Sequence, residues 1–189
     1  MIAKLLHLSV LVTIISAKVD PICKLAAPTG VDPESCCKVP DILDHPTLEK
    51  CAIAVFNTNS SDVSSEVINV GSGKCLFECI FKEHGILKNG TVLPDVALKL
   101  LKEVIKSDEV WIPIVTNAID TCQSMAASMP EKTMSPGTCD SLPAFYFGCF
   151  HTQLFKNCPN AKWTASEGCN QLKQNSEKCP VLTAVVSME

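Results

Sequence analysis

The chain has 189 residues, 47% of them hydrophobic, so it is long enough for one substantial core and for at most two small domains. Its 20 acidic residues outnumber 16 lysines, the formal net charge is −4, and there is no arginine. Such a chain lacks both the basic surface that binds phosphates and the guanidinium groups that read base edges, which argues against a nucleic-acid partner.

Residues 1–17 have the pattern of a secretory signal peptide. One lysine is followed by a mostly apolar run over residues 5–15 and then by small residues that end at Ala17. The run is too short to cross a bilayer, and no later segment reaches the roughly 20 apolar residues that a membrane helix needs. We therefore expect a secreted, extracellular protein without membrane insertion, in which residues 18–189 form a single domain.

Prolines and cysteines divide this domain into three parts. Residues 18–50 are predicted to form a cysteine-containing N-terminal arm, residues 51–158 a helical core and residues 159–189 a C-terminal extension. The arm is irregular as far as residue 43, because four prolines interrupt it. Asp44 and Pro46 then supply a cap and a first-turn proline for a helix with apolar residues at helical spacing.

The rest of the chain predicts further helices. A polar loop over residues 57–73 precedes a helix that Ser72 caps and Gly85 ends. Three more helices and a short tail helix follow, marked by Pro94, by Asp108 with a kink or late start at Pro113, by Asp140, and by residues 166–178. Residues 181–186 are the only strand candidate. The predicted fold class is all-α, a compact bundle of helices.

All twelve cysteines follow the signal peptide, and an even number in an oxidising compartment predicts six disulfides. Cys75 and Cys79 lie four residues apart on one face of a predicted helix, with nearly parallel Cβ directions. A disulfide needs Cβ atoms about 3.8 Å apart, so these two cysteines cannot bond to each other. Each is expected to bond to a different partner elsewhere in the chain.

The sequence lacks the known catalytic and metal-binding motifs that its cysteines, histidines and glycines suggest. The cysteine pairs and the scattered histidines lack zinc-ligand spacing, and no thioredoxin-like Cys-x-x-Cys is present. The Gly71-Ser72-Gly73-Lys74 stretch lacks the flanking residues of a phosphate-binding loop. A secreted phospholipase A2 would need a histidine after the Cys36-Cys37 pair at a position where this chain has none. We therefore expect neither an enzyme nor a bound metal or cofactor.

The helix after Asp140 is aromatic on several faces, because five of the ten aromatic residues of the chain fall within residues 145–155. A helix that is apolar on several faces is largely buried, either as ordinary core or as the wall of an apolar cavity. Disulfides help the second design, since they replace the core packing that a cavity forfeits. The apolar stripes predict eight ligand-binding residues: Leu101, Ile105, Trp111, Ile114, Val115, Ile119, Phe147 and Phe150.

The cysteine spacing resembles that of the insect odorant-binding proteins. The pattern is Cys51-x23-Cys75-x3-Cys79-x42-Cys122, followed by an eight-residue gap between Cys149 and Cys158. Other features resemble the Plus-C subclass: the cysteines before residue 51, the nine-residue gap between Cys139 and Cys149, the proline after Cys158, and Cys169 ten residues beyond that proline. The resemblance covers residues 51–169 by motif.

This resemblance implies six or more helices around an apolar cavity, in a protein that carries small hydrophobic odorants through sensory fluid to an olfactory receptor. We expect a monomer or a homodimer. The resemblance also implies the pairs Cys51–Cys79, Cys75–Cys149 and Cys122–Cys158. Fifteen pairings then remain open for the other six cysteines, at positions 23, 36, 37, 139, 169 and 179. Two histidines, His84 and His151, are candidates for a response of ligand binding to pH.

Two alternatives stay open, and one further motif fits secretion. A secreted protein-binding module or inhibitor would use the arm and the extension to bind a partner, and a phospholipase A2-like enzyme is the second alternative. Glycosylation sequons at Asn59-Ser60-Ser61 and Asn89-Gly90-Thr91 are compatible with the secretory route.

Overall fold

The computed structural model describes residues 20–28, 30–56, 70–128 and 139–183. The predicted signal peptide and the Asn59 sequon lie outside these residues. The described helices are α1 (Pro33–Cys36), α2 (His45–Phe56), α3 (Val70–Glu83), α4 (Pro94–Ile105), α5 (Ile112–Ala127), α6 (Leu142–Lys156) and α7 (Glu167–Ser176). Strands β1 (Leu87–Lys88) and β2 (Thr91–Val92) and three single 3-10 turns complete them: Pro21–Lys24, Glu109–Trp111 and Asn160–Lys162. The all-α fold class is confirmed.

Gly85 ends α3 as predicted, and the reason is visible in the backbone. Its φ of +67° lies in the left-handed region that glycine adopts without steric cost. The Ile86 N–H donates to the Phe81 carbonyl at 2.8 Å, and the Gly85 N–H donates to the Lys82 carbonyl at 3.0 Å. This pair of bonds is a Schellman motif, which satisfies carbonyls that the helix end leaves open. It turns the chain directly into β1.

The start of α3 differs from the prediction. The helix begins at Val70, so Ser72 lies inside it instead of capping it. Residues 57–69 of the predicted loop lie outside the described residues. Glycines at positions 71 and 73 disfavour a helix by about 1 kcal/mol each relative to alanine, which is why the sequence placed the boundary too late.

A small β-hairpin between α3 and α4 was not predicted. Strand β1 pairs antiparallel with β2, with Leu87 opposite Val92 and Lys88 opposite Thr91. Asn89 and Gly90 form the two-residue turn with φ values of +53° and +74°, as a type I′ turn requires. Leu87 and Val92 are buried, so the hairpin seals one side of the core. The predicted strand candidate, by contrast, is not a strand in its described part, residues 181–183.

Most predicted caps and prolines are found where helices begin. The Asp44 carboxylate accepts from the Thr47 N–H at 3.1 Å. Asp140 lies one residue before the cap position of α6, Ser141, and accepts from the Leu142 N–H at 2.8 Å. Pro113 lies in the first turn of α5, which confirms the late start of that helix after the 3-10 turn. Asp108 makes no capping bond and instead forms an ion pair with Lys162 at 2.6 Å.

Helix α6 lies in the middle of the fold, packed against α5 on one side and α3 on the other. A main group of buried residues lies on the α5 side, together with parts of α4, α7 and the tail, and we call it the central cluster. Its apolar members include Ile105, Trp111, Val115, Ile119, Tyr146, Phe150, Leu154, Phe155, Leu172 and Leu182. A second cluster joins α2, α3 and α6 through Cys51, Leu76, Phe77, Ile80 and Phe147.

All twelve cysteines are bonded, in two sets of three. The first set links the core helices through Cys51–Cys79, Cys75–Cys139 and Cys122–Cys149. The second set links the arm to the extension through Cys23–Cys179, Cys36–Cys169 and Cys37–Cys158. Cys75 and Cys79 have different partners, as the helix geometry required.

Two of the three pairs implied by the resemblance are wrong, namely Cys75–Cys149 and Cys122–Cys158. Cys149 lies two residues after Phe147, so the two side chains point to nearly opposite sides of α6. Phe147 stacks on Phe77 of α3, with ring centroids 4.2 Å apart, and Cys149 therefore faces α5, where Cys122 lies.

Cys139 takes the place next to α3 instead. The chain just before α6 contacts that helix, since the Asp140 N–H donates to the Glu78 carboxylate at 2.9 Å, and this brings Cys139 to Cys75. The interlocked order of the implied pairing is kept, but its last two positions are Cys139 and Cys149. The eight-residue gap between Cys149 and Cys158 therefore does not identify the last two cysteines of the interlocked set, which are Cys139 and Cys149.

The arm and the extension run antiparallel and are joined along their length. Their three disulfides are nested, with the outermost cysteines paired to each other. Between these bonds Cys37 forms an antiparallel bridge with Trp163, and the Thr164 N–H donates to the Cys36 carbonyl at 2.8 Å. Cys23, Cys36 and Cys37 all belong to the central cluster, so the joined arm and extension cover one side of that cluster.

Candidate ligand site

The structure brings seven of the eight predicted ligand residues to the central cluster. Helix α4 contributes Leu101 and Ile105, the 3-10 turn contributes Trp111, α5 contributes Ile114, Val115 and Ile119, and α6 contributes Phe150. Leu101 and Ile114 are half-buried at the edge of the cluster, whereas the other five are buried. Phe147 is the exception, because it belongs to the second cluster on the opposite side of α6.

Disulfides and short connections hold together the helices that form the central cluster. Cys122–Cys149 ties α5 to α6 at mid-helix, and both of its cysteines are fully buried. Helix α4 is held against α5 by the short link through the 3-10 turn, in which Trp111 is fully buried. An apolar region framed in this way keeps its shape with less dependence on tight internal packing. This is the property that a container for an apolar molecule needs.

Trp111 contributes a polar group to an otherwise apolar surrounding. Its indole nitrogen Nε1 is buried and has no hydrogen-bond partner among the described residues. A buried donor without a partner costs about 1–3 kcal/mol, and an oxygen atom of a bound molecule or a water would recover part of that cost. Trp111 was predicted from its place in an apolar stripe. No feature of the sequence indicates that its Nε1 lacks a hydrogen-bond partner among the described residues.

A partly buried histidine of α6 packs beside the second cluster. His151 lies against Phe147, with ring centroids 4.3 Å apart, and edge-on to Phe150 at 6.5 Å. Its Nε2 is buried and has no partner within the described residues. Burial lowers the pKa of His151 to about 4, and the negative charge of Asp41 opposes this shift only in part. His84, the other predicted titrating residue, lies at the C-terminal end of α3.

Two polar side chains meet at the edge of the central cluster. The Tyr146 hydroxyl donates a hydrogen bond to the side-chain oxygen of Gln123. Burial, and secondly the negative charge of Asp120, raises the pKa of Tyr146 to about 12, so the phenol stays protonated at physiological pH. The pair links α5 to α6 next to the Cys122–Cys149 bond and provides no base or nucleophile.

An open surface depression of about 670 Å³ lies on α7 and, unlike the central cluster, is not apolar. Its lining is polar: Glu167, Asn170, Gln171 and Gln174. Sites for apolar ligands are concave and mostly apolar, so this depression is not a candidate for one.

The described residues contain neither a cluster of metal ligands nor a membrane-spanning helix. Within them, no three histidine, cysteine or acidic side chains lie close enough together to hold a metal ion. None of their helices combines the length and the apolar character that crossing a bilayer requires.

Comparison with known proteins decides the family. The AgamOBP47-like family matches residues 40–175, which include the whole helical core and most of the extension. The chain belongs to this family. Members of the AgamOBP47-like family are odorant-binding proteins, so the chain is a binding protein and not an enzyme.

Three proteins of Anopheles gambiae resemble this AgamOBP47-like chain over most of their length. General odorant-binding protein 67 is 26% identical over 152 residues, which cover 79% of this chain and 74% of the relative. General odorant-binding protein 68 is 27% identical over 186 residues, which cover 94% of this chain and 84% of the relative. Odorant-binding protein 47 is 25% identical over 171 residues, which cover 85% of this chain and 74% of the relative.

Proposed function

We propose that this chain is a carrier that binds small hydrophobic odorants in its central cluster and delivers them through aqueous sensory fluid to olfactory receptors. The observation that supports this proposal is the match to the AgamOBP47-like family together with three relatives named as odorant-binding proteins. The chemistry of the central cluster agrees with such a ligand, because five of the predicted contact residues are buried there among apolar neighbours.

The polar content of the cluster supports a particular kind of hydrophobic ligand. Trp111 offers one buried N–H donor, and Tyr146 is already engaged with Gln123. A ligand with a largely apolar body and one oxygen acceptor would use that donor, whereas a pure hydrocarbon would leave it unpaired. We therefore propose Leu101, Ile105, Trp111, Ile114, Val115, Ile119 and Phe150 as the contact set, and we place Phe147 outside it.

Secretion and subclass belong to the same proposal. Six disulfides in a chain of this size agree with folding in an oxidising compartment, after removal of residues 1–17. The three arm-to-extension bonds support the Plus-C assignment, since they use cysteines additional to the core six. We propose one domain over residues 18–189 that acts as a monomer or homodimer.

The direct test is displacement of an apolar fluorescent probe from the secreted protein. The probe is expected to bind saturably at micromolar concentrations and to be displaced by small terpenoid or aromatic odorants. Ile119→Phe adds bulk to the central cluster, where the wild-type side chain is 4% exposed. It should weaken probe binding about tenfold or more, a loss of about 1.4 kcal/mol, because the added ring occupies space that the ligand needs.

Ile80→Phe is the matched control. The substitution is the same and the wild-type side chain is 5% exposed, but Ile80 belongs to the second cluster. Overpacking should cost both variants a similar loss of stability, about 1–3 kcal/mol, and only the central variant should lose probe affinity. Absence of saturable binding would overturn the carrier proposal, and equal loss in both variants would overturn the location of the site.

A further inference from the structure

We propose that Asn89 is the attachment site of an N-linked glycan. Asn89, Gly90 and Thr91 form an Asn-x-Thr acceptor triplet with no proline at its centre or directly after it. In the structure the triplet occupies the end of the β1–β2 hairpin, where all three residues are exposed. The proposal rests on the secretion proposed above, because the transfer takes place inside the secretory pathway.

The hairpin separates the acceptor from the core. Leu87 and Val92, the outer pair of the register, are 7% and 4% exposed and belong to the central cluster. Asn89 lies at the opposite, exposed end of the same hairpin, within the two-residue turn. A bulky sugar at this position therefore extends into solvent without displacing any buried side chain.

The turn explains part of the triplet but not all of it. Asparagine and glycine are the residues that a type I′ turn prefers, because both positions need a positive φ. Thr91 lies outside the turn in β2, and its side chain is exposed, so core packing does not demand it. Thr91 is nevertheless the residue that converts the turn into an acceptor site.

The chemistry is a group transfer to the amide nitrogen. The Nδ2 atom of Asn89 forms a bond to the anomeric carbon of a sugar whose donor is a lipid-linked oligosaccharide diphosphate. The carbon–oxygen bond to the diphosphate breaks, the lipid diphosphate leaves with the bonding electron pair, and the amide nitrogen gives up one proton. The transfer involves no oxidation or reduction.

The test measures the intact mass of protein secreted from insect cells. Every chain carries Asn59→Gln, which removes the other sequon, and each is expressed with its own N-terminal residues and also behind an established secretory leader. The secreted protein should carry excess mass that peptide N-glycosidase removes, leaving an aspartate at the site. Performing the release in heavy-oxygen water, beside a sample without enzyme, separates this conversion from spontaneous deamidation of Asn89.

Two substitutions of Thr91 make the assignment specific. Thr91→Val removes the acceptor hydroxyl but keeps a β-branched side chain suited to the strand, and it should abolish the excess mass. Thr91→Ser keeps the hydroxyl and should keep the glycan. Intact-mass measurement checks that both variants have formed six disulfides, and the readout needs no odorant, so it is separate from the carrier test.

Unmodified Asn89 in protein secreted behind the established leader would overturn the proposal, and so would excess mass that persists in Thr91→Val. Modification behind that leader together with no secretion from the chain's own N-terminal residues would support the glycan site and contradict the secretion proposal alone.

Discussion

At the scale of single residues, His151 shows how burial among aromatic rings changes the chemistry of a side chain. The unfolded chain binds a proton on this imidazole with a pKa of 6.5, whereas in the folded protein burial lowers the pKa to about 4. Between these two values the unfolded state binds more protons, so acid favours unfolding. The contribution is fully present above pH 6.5 and is lost as the pH falls toward 4, up to about 3 kcal/mol.

We predict that His151→Phe makes the stability less sensitive to acid, because it keeps a ring against Phe147 and removes the titrating nitrogen. Denaturant unfolding with disulfides intact, at neutral pH and near pH 4.5, measures the difference between variant and wild type. The control is His45→Asn, because His45 is exposed and its pair with Asp41 at 2.8 Å, also exposed, contributes little to stability. That control should keep the wild-type response, and an equal acid loss in wild type and His151→Phe would refute the prediction.

At the scale of elements, one buried hydroxyl of α6 binds the tail, the described residues 177–183. Thr152 is fully buried, its Oγ1 donates to the Gly148 carbonyl at 2.8 Å, and the same oxygen accepts from the Leu182 N–H at 3.0 Å. Gly148 has room for the tail only because it lacks a side chain, since an added Cβ would lie 2.8 Å from a Val181 methyl. Leu182 is thereby buried in the central cluster.

Thr152→Val should therefore destabilise the protein by about 1–3 kcal/mol although the side chain keeps its shape. The substitution leaves the Leu182 N–H buried without an acceptor, which is the costly case for a hydrogen bond. Thr152→Ser retains the hydroxyl, loses one methyl and should cost less than Thr152→Val. Thermal unfolding of the three proteins checks this order, and faster amide exchange at Leu182 in Thr152→Val would locate the effect. The reverse order would mean that packing, not the hydroxyl, holds the tail.

Element boundaries were predictable where one local residue sets them and not where tertiary contacts do. Gly85, Pro94 and Asp140 marked their helix ends correctly, because caps and prolines act within one turn. The hairpin was missed although Asn89-Gly90 is a strong turn signal, since its strands have only two residues each, too few for an alternating pattern to be recognised. The tail contact of Thr152 joins residues 30 positions apart and left no sequence pattern.

In the candidate site, too, local spacing was predictable and the contacts between helices were not. The apolar spacing on α4 and α5 correctly grouped residues that share a cluster, because helical periodicity fixes which side chains share a face. It could not separate Phe147 from Phe150, because α6 is apolar on both sides and only the positions of α3 and α5 distinguish them. The pairing of Cys149 failed for the same reason, since the spacing along the chain does not show which neighbour a face of α6 meets.

At the scale of the whole molecule, the disulfides act as a network, and this changes the value of each one. Cys23–Cys179 spans 156 residues and would by itself contribute about 5 kcal/mol in the chain-entropy account. However, Cys36–Cys169 already joins the same two segments, 13 residues along the arm and 10 residues along the extension from the outer bond. The ring that the outer bond closes therefore has only about 25 residues, for which the same account gives about 3.5 kcal/mol.

Cys51–Cys79 provides the comparison, because its loop of 28 residues has no shorter path through another disulfide. We predict that the double variants Cys23→Ala/Cys179→Ala and Cys51→Ala/Cys79→Ala lose similar stability, about 3.5 kcal/mol each, despite the more than fivefold difference in sequence separation. Denaturant unfolding under non-reducing conditions measures both losses. A loss for the outer bond that exceeds the other by about 1.5 kcal/mol would show that the arm and the extension separate as if unlinked in the unfolded chain. Equal losses would show that the nested bonds constrain one compact ring, so the outermost bond can be removed while the inner two still hold the arm to the extension beside the central cluster.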